Sequence, residues 1–211
     1  DLHSTSRRQR QMCIRDSLLK HLDRTSISRQ CEGLEVINSQ VKNLTAFLDS
    51  YHRLTHLPEP EYKTVSVPAL FTKLERLLQA EPRGERVVYC DGKADRSTGK
   101  ELQVYGDANL LTLALINLIR NALQAVEGQE DGIVRVDTCA GATGHLLITI
   151  TDNGPGIPPE RLSAIFTPFF STKSGGSGIG LPISQRIMQL HGGQLSVSSI
   201  PNVRTEFRME F

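Results

Sequence analysis

"TDNGPGIPPERLSAIFTPFFSTKSGGSGIGL", residues 151–181, decides how this sequence folds and what it holds. The apolar run "LLITIT" carries Asp152 to the end of what reads as a strand. Gly154 and Gly156 then leave the wall beside that carboxylate free of side chains. An acid so placed can accept from an exocyclic amine while the glycines admit a flat ring. Taken alone, "DNGPG" is equally turn chemistry. Further on, "GGSGIG" at 175–180 feeds a helical pattern. Glycines before a helix N-terminus make a nest of backbone donors suited to phosphate, with Lys173 as a mobile charge. A flexible linker is the plainer reading of the same residues. Neither GxxxxGK[ST] nor GxGxxG occurs, so a P-loop, protein-kinase or dinucleotide site is unsupported.

A second group of polar residues lies upstream. Asp107 can cap a long helix that runs to about Glu127 and stops at Gly128. Leu111, Leu115, Leu118 and Ala122 form its core stripe. The neighbouring line Leu110, Ala114, Asn117, Asn121 starts apolar and turns to two amides on one face. Burying both amides costs stability unless each finds a partner, either loop backbone or a ligand or metal.

The rest of the chain supplies the frame. Residues 1–27 show no period and no caps, and "STSRRQRQMCIRDS" at 4–17 resembles a translated sequencing adapter, so this segment is set aside as poorly structured. From 28 to 60, Leu34, Ile37, Val41, Leu44, Leu48 and Tyr51 recur at spacings of three and four, a narrow seam for packing against another helix. Pro58 and Pro60 in "LPEPEYKTV" end that helix and mark a linker. Residues 61–211 alternate in type. "KTVSV", "RVVYCDG", "LQVYGD", "IVRVDTCA", "LLITIT", "QLSVSSI" and "RTEFRMEF" read as strands. "PALFTKLERLLQA", the 107–127 segment and 181–191 read as helices. The pattern predicts an α+β fold, a two-layer α/β sandwich with helices on one face of a sheet, preceded by a helical segment.

Bulk properties exclude several classes. A net charge of +1 over 211 residues gives no electrostatic case for nucleic acid or a membrane surface. No apolar run approaches the ~20 residues of a membrane span. The four cysteines, Cys13, Cys31, Cys90 and Cys139, form no CxxC pair, which favours reduced thiols over zinc or disulfides. His52 and His56 lie four apart without a third ligand nearby and read as a solvated face.

The order and spacing of "NLIRNALQAV" at 117–126, "DNGPGI" at 152–157, "FTPFFSTK" at 166–173 and "GSGIGL" at 176–181 are far more specific than any one of them. The set resembles the N, G1, F and G2 boxes of the histidine-kinase catalytic domain. That family shares its ATP-binding (GHKL, Bergerat) fold with gyrase B, MutL and the heat-shock chaperone ATPases. The resemblance covers about 61–211, and "FTPFFSTK" is similar to the nitrogen-regulatory branch. It implies ATP and Mg²⁺ as cofactors, with Asn121 holding Mg²⁺ against the triphosphate and Asn117 lining the phosphate side. Asp152 would receive the adenine amine, with Gly154 and Gly156 shaping its wall and Thr205 reaching adenine through water. Phe166, Phe169 and Phe170 resemble the hinge of a lid. Lys173 and the backbone at Gly176, Gly178 and Gly180 would face the phosphates, Thr172, Ser177 and Leu181 would also bind ATP, and Lys173 and Asn117 would be catalytic.

In hydrolysing members of the superfamily a Glu stands at the position of Asn117. An amide cannot act as a general base at neutral pH, so the site is expected to hold ATP for another nucleophile. In histidine kinases that nucleophile is an imidazole on a helical hairpin, in a stretch like H-E-x-x-N-P. Neither His3 nor His21 matches it, so no phosphoacceptor is expected here, and residues 28–60 resemble the second helix of the hairpin and its linker. The resemblance further implies a response regulator receiver domain as partner, homodimerisation of the parent protein through the hairpin, and a cytoplasmic location. Any membrane anchor, in the inner membrane, would belong to upstream segments. The alternatives are a slow ATPase of the same superfamily and a degenerate nucleotide-binding regulatory module.

Overall fold

The computed structural model describes residues 57–90, 101–140, 145–171 and 177–211, and 34, 35, 37–41, 45, 48, 51 and 52 of the preceding segment. The chain divides into two compact units, Asp1–Asp49 and Ser50–Phe211. In the first, every described residue is helical, and Thr45 Oγ1 donates to the Val41 carbonyl one turn back at 2.8 Å. The seam residues Leu34, Ile37, Val41 and Leu48 are exposed there, as is Tyr51 at the start of the second unit. Leu44 and His56 lie outside the described residues.

The second unit is the α+β sandwich expected from the pattern. It opens with β1 (Lys63–Ser66) and α1 (Val67–Leu78), where Ser66 Oγ caps the helix by accepting from Ala69 N and Pro68 sits in the first turn. β2 (Val87–Tyr89) and β3 (Gln103–Gly106) precede α2 (Ala108–Ala125), β4 (Val134–Ala140) and β5 (Leu146–Asp152). A one-turn α3 (Pro159–Leu162), α4 (Gly180–Leu190), β6 (Gln194–Ile200) and β7 (Arg204–Glu210) complete the unit.

Five strands form one sheet in the order β2-β4-β5-β7-β6, while β1 and β3 pair separately as an antiparallel ribbon. β2 and β3, consecutive in the chain, therefore serve different sheets: β2 lies parallel to β4 and β3 antiparallel to β1. The core is continuous. It takes Leu70, Leu74 and Leu78 from α1, and Leu111, Leu115, Leu118 and Ile119 from α2. Ile187 and Met188 come from α4, and Ile148, Ile150, Phe207 and Met209 from the sheet.

Strand parity determines what faces that core. In β5 the buried positions are Leu146, Ile148, Ile150 and Asp152, so a carboxylate continues the apolar row at the strand's end. Register extends the row across the sheet. Ile150 pairs with Val136 and Phe207, whereas the last row reads Val134, Asp152, Thr205, Ser199. The core face turns polar at one edge, and the site begins there.

Candidate functional site

Three segments converge on that polar row. The first is the turn after β5. Gly154 N donates to Asp152 Oδ1 at 3.0 Å, folding the chain back over its own carboxylate. A Cβ on Gly154 would come within 2.7 Å of the same oxygen and 3.0 Å of Ala125 Cβ, so a glycine is required where the turn meets the end of α2. Gly156 has φ +73°, and a Cβ there would press to 2.7 Å from the Ile200 carbonyl oxygen. The turn is thus fixed against the β6–β7 hairpin, where Asn202 N also donates to Pro155 O at 2.8 Å.

The second segment is α2. Asn117 and Asn121, one turn apart, are half-buried beside a stripe that is otherwise fully buried. Ala125, one turn beyond Asn121, is the residue that Gly154 touches. At the other end of the pair, Asn117 Cγ lies 3.8 Å from where a Cβ of Gly180 would be. One helix face therefore links the Asp152 turn to the start of α4.

The third segment is the approach to α4. Phe166 and Phe170 pack against the core from partly buried positions, while Phe169 is exposed with φ +66°. Phe169 N donates to Gly178 O at 3.0 Å, and a Cβ on Gly178 (φ +64°) would fall 2.6 Å from Phe169 C. The two described ends of the glycine-rich segment are thereby joined. α4 starts at Gly180 with Ile179 as its N-cap residue and no side-chain cap. Its first N–H groups and the positive end of its dipole keep their capacity for an anion. Leu181 is half-buried in the first turn and Ser177 exposed ahead of it. Thr172, Lys173 and Gly176 lie outside the described residues.

Two further residues, Ser199 and Asn153, tie these segments together. Ser199 Oγ accepts from Ile157 N at 2.8 Å, donates to Arg204 O at 3.0 Å and lies 3.2 Å from Thr205 Oγ1. A serine in an alternating strand gives no local sign of this. Asn153 clips the preceding loop, accepting from Ile133 N at 2.8 Å and donating to Asp131 O at 2.9 Å. Its position after Asp152 in a turn motif was the available signal.

Among the described residues no three His, Cys, Asp or Glu side chains form a metal cluster. A divalent cation held by the amide of Asn121 would need its other ligands from a bound phosphate chain, which is how Mg²⁺ usually binds. Among the described residues no helix is long and apolar enough to cross a membrane.

Known proteins resemble this chain in sequence and in fold. Residues 106–211 match the family described as histidine kinase-, DNA gyrase B-, and HSP90-like ATPases. The sensor histidine kinase ZraS of Salmonella typhimurium is 43% identical over 98 residues, 46% of this chain and 21% of that protein. The sensory histidine kinase/phosphatase NtrB of Vibrio alginolyticus is 33% identical over 184 residues, 82% of this chain and 50% of that protein. The catalytic domain of histidine kinase ThkA superposes with a TM-score of 0.59 at 27% identity, covering 72% of this chain and 95% of that one. The chain spans half or less of the length of these two curated relatives.

Proposed function

Because this chain belongs to the histidine kinase-, DNA gyrase B-, and HSP90-like ATPase family, we propose that it is the ATP-binding catalytic region of a two-component sensor histidine kinase. It transfers the γ-phosphoryl of ATP to a histidine, from which a response regulator receiver domain takes it. The observation that carries this reading is the polar row at the sheet's end. Asp152 and Thr205 stand side by side on the core face, beside a glycine wall, with α2 leading from there to the uncapped start of α4.

The residues then divide by ligand part. Asp152 accepts from the adenine amine, and Thr205 lies beside it on the same face. Asn117, the N-terminal N–H groups of α4, Gly178 and Gly180 serve the phosphates, with Lys173 as the catalytic cation. Asn121 holds Mg²⁺, which neutralises phosphate charge when bound. Phe166 and Phe170 pack against the core on the F-box side of the site. Asn117 favours the kinase over the hydrolase, since an amide supplies no general base for water. ATP as substrate places this region in the cytoplasm.

The test is transfer from γ-labelled ATP to a supplied, intact helical dimerisation domain bearing its histidine. Acid-labile label on that domain, and none on this chain, is expected. Rapid phosphate release into water, abolished by Asn117→Ala, would instead favour the hydrolase.

A further inference from the structure

α2 and α4 carry the phosphate side of the site and run antiparallel, so their relative register decides where Asn117 meets Gly180. Three points of close approach mark that register, and the last of them is a hydrogen bond. At the site end, Asn117 Cγ lies 3.8 Å from a Cβ position on Gly180. Midway, the Ser184 hydroxyl, which donates to Gly180 O within α4 at 3.0 Å, lies 3.4 Å from Ala114 O on α2. At the far end, Asp107 N donates to Nε2 of His191 at 2.9 Å. At a rise of ~1.5 Å per residue, this last joint lies about 15 Å along α2 from Asn117.

The joint is chemically specific. His191 Nδ1 lies 2.7 Å from Ile187 O, an acceptor, so Nδ1 carries the proton and Nε2 is free to accept from Asp107 N. Gly106 provides the room, since a Cβ there would be 2.5 Å from His191 Cδ2. The Asp107 carboxylate has two duties. Oδ1 accepts from Asn109 N and Leu110 N at 2.8 and 3.1 Å, capping α2, while Oδ2 accepts from Glu61 N at 2.9 Å. Tyr62 closes over the joint: its hydroxyl donates to Leu190 O at 2.6 Å and its ring meets His191 edge-on, 5.6 Å between centroids.

We propose that the Asp107–His191 joint is a positioning device for the phosphate end of the nucleotide site, setting the register of α4 against α2 from the opposite end of both helices. The inference rests on the ATP-binding reading above. His191 touches no part of the ligand in this account and acts through α4. The adenine side is carried by the sheet, through Asp152 and Thr205, and does not depend on α4. Loosening the joint therefore selects against the triphosphate and spares adenosine.

The test uses the full chain and two separate titrations, one with a non-hydrolysable ATP analogue and Mg²⁺, the other with adenosine. His191→Phe keeps a ring against Tyr62 but has no acceptor for Asp107 N, whereas His191→Gln can restore one. Tyr62→Phe, a milder change at the exposed side, frees only the last turn of α4. For His191→Phe the analogue should bind about tenfold more weakly, with adenosine within about twofold, since small misplacements of reacting groups act on this scale. His191→Gln should recover most of the loss, and Tyr62→Phe should move the same way by about threefold. Equal losses for both ligands, or unchanged analogue binding in both His191→Phe and Tyr62→Phe, would overturn the proposal. If His191→Phe does not fold, Tyr62→Phe alone decides. A wild-type chain that binds no analogue would overturn the ATP reading itself.

Discussion

Asp152 and Thr205 stand directly opposite each other on β5 and β7, 2% and 3% exposed, where the rows behind them are apolar. Two polar side chains buried side by side at the edge of a core need a reason, because burial of such groups is costly without partners. Thr205 has Ser199 as a neighbour at 3.2 Å, and Asp152 accepts from Gly154 N. Under the proposed function, the adenine amine would be a further partner for Asp152.

Thr205→Val tests the second half of that pair. The β-branched shape is kept, and Ser199 retains Arg204 O and Ile157 N as partners. Stability should change by less than about 1 kcal/mol, while ATP-analogue affinity falls about three- to tenfold, the scale of one hydrogen bond. Calorimetric titration beside a urea melt separates the two.

Glycine positions give a graded prediction. Gly128, in the turn after α2, has φ +87° and nothing within 4 Å of where a Cβ would be, whereas a Cβ on Gly156 (φ +73°) would lie 2.7 Å from the Ile200 carbonyl oxygen. Gly128→Ala should cost about 1 kcal/mol from left-handed backbone alone. Gly156→Ala should cost roughly twice that or more, because backbone must move, and should also weaken nucleotide binding. Urea midpoints at constant m-value measure both.

Tyr89 offers a change in the other direction. Its ring packs on Phe71, 5.7 Å between centroids, but its buried hydroxyl finds no hydrogen-bond partner among the described residues. Burial, aided by the charge of Glu75, pushes the phenol up to about 12. The folded value exceeds the unfolded one, so the neutral phenol's contribution is complete below about pH 10 and is lost as pH rises toward the folded value. Tyr89→Phe should be neutral or stabilising by up to about 1 kcal/mol at pH 7 and should lack this alkaline loss.

Asp107 predicts acid sensitivity. Burial works to raise its carboxyl, but hydrogen bonds from Glu61 N, Leu110 N and Asn109 N outweigh it, so the group lies below its ordinary value. A depressed carboxyl contributes stability that is complete above the unfolded value of about 4 and is lost as pH falls through the folded one. Asp107→Asn keeps one oxygen for the α2 cap but loses the acceptor for Glu61 N. It should be less stable than wild type at pH 7, with the gap closing below about pH 4. Thermal unfolding across pH 3–7 reads this.

Much of the site was legible because its residues obey local periods. A period of two puts Asp152 on the face of Ile148 and Ile150, and a spacing of four puts Asn117 and Asn121 on one side of α2. What was hidden depends on distant partners. β2 and β3 are three and four residues long, too short for their patterns to say that they join different sheets. Asp107 reads locally as a cap. Its bonds to Glu61 and His191 span 46 and 84 positions, so the cap's second role emerges only from the packing of α4 against α2. Ser199 is in the same position: it becomes part of the site because β6 registers against β7 and not through any neighbour in sequence.

A nucleotide site built on Asp152 is open to calorimetric titration of the chain with a non-hydrolysable ATP analogue and Mg²⁺. Saturable binding is predicted, weakened in Asp152→Asn by about 1–3 kcal/mol, the usual range for a hydrogen bond to a charged group. No binding heat from the wild-type chain at millimolar analogue, or identical isotherms for wild type and Asp152→Asn, would contradict it.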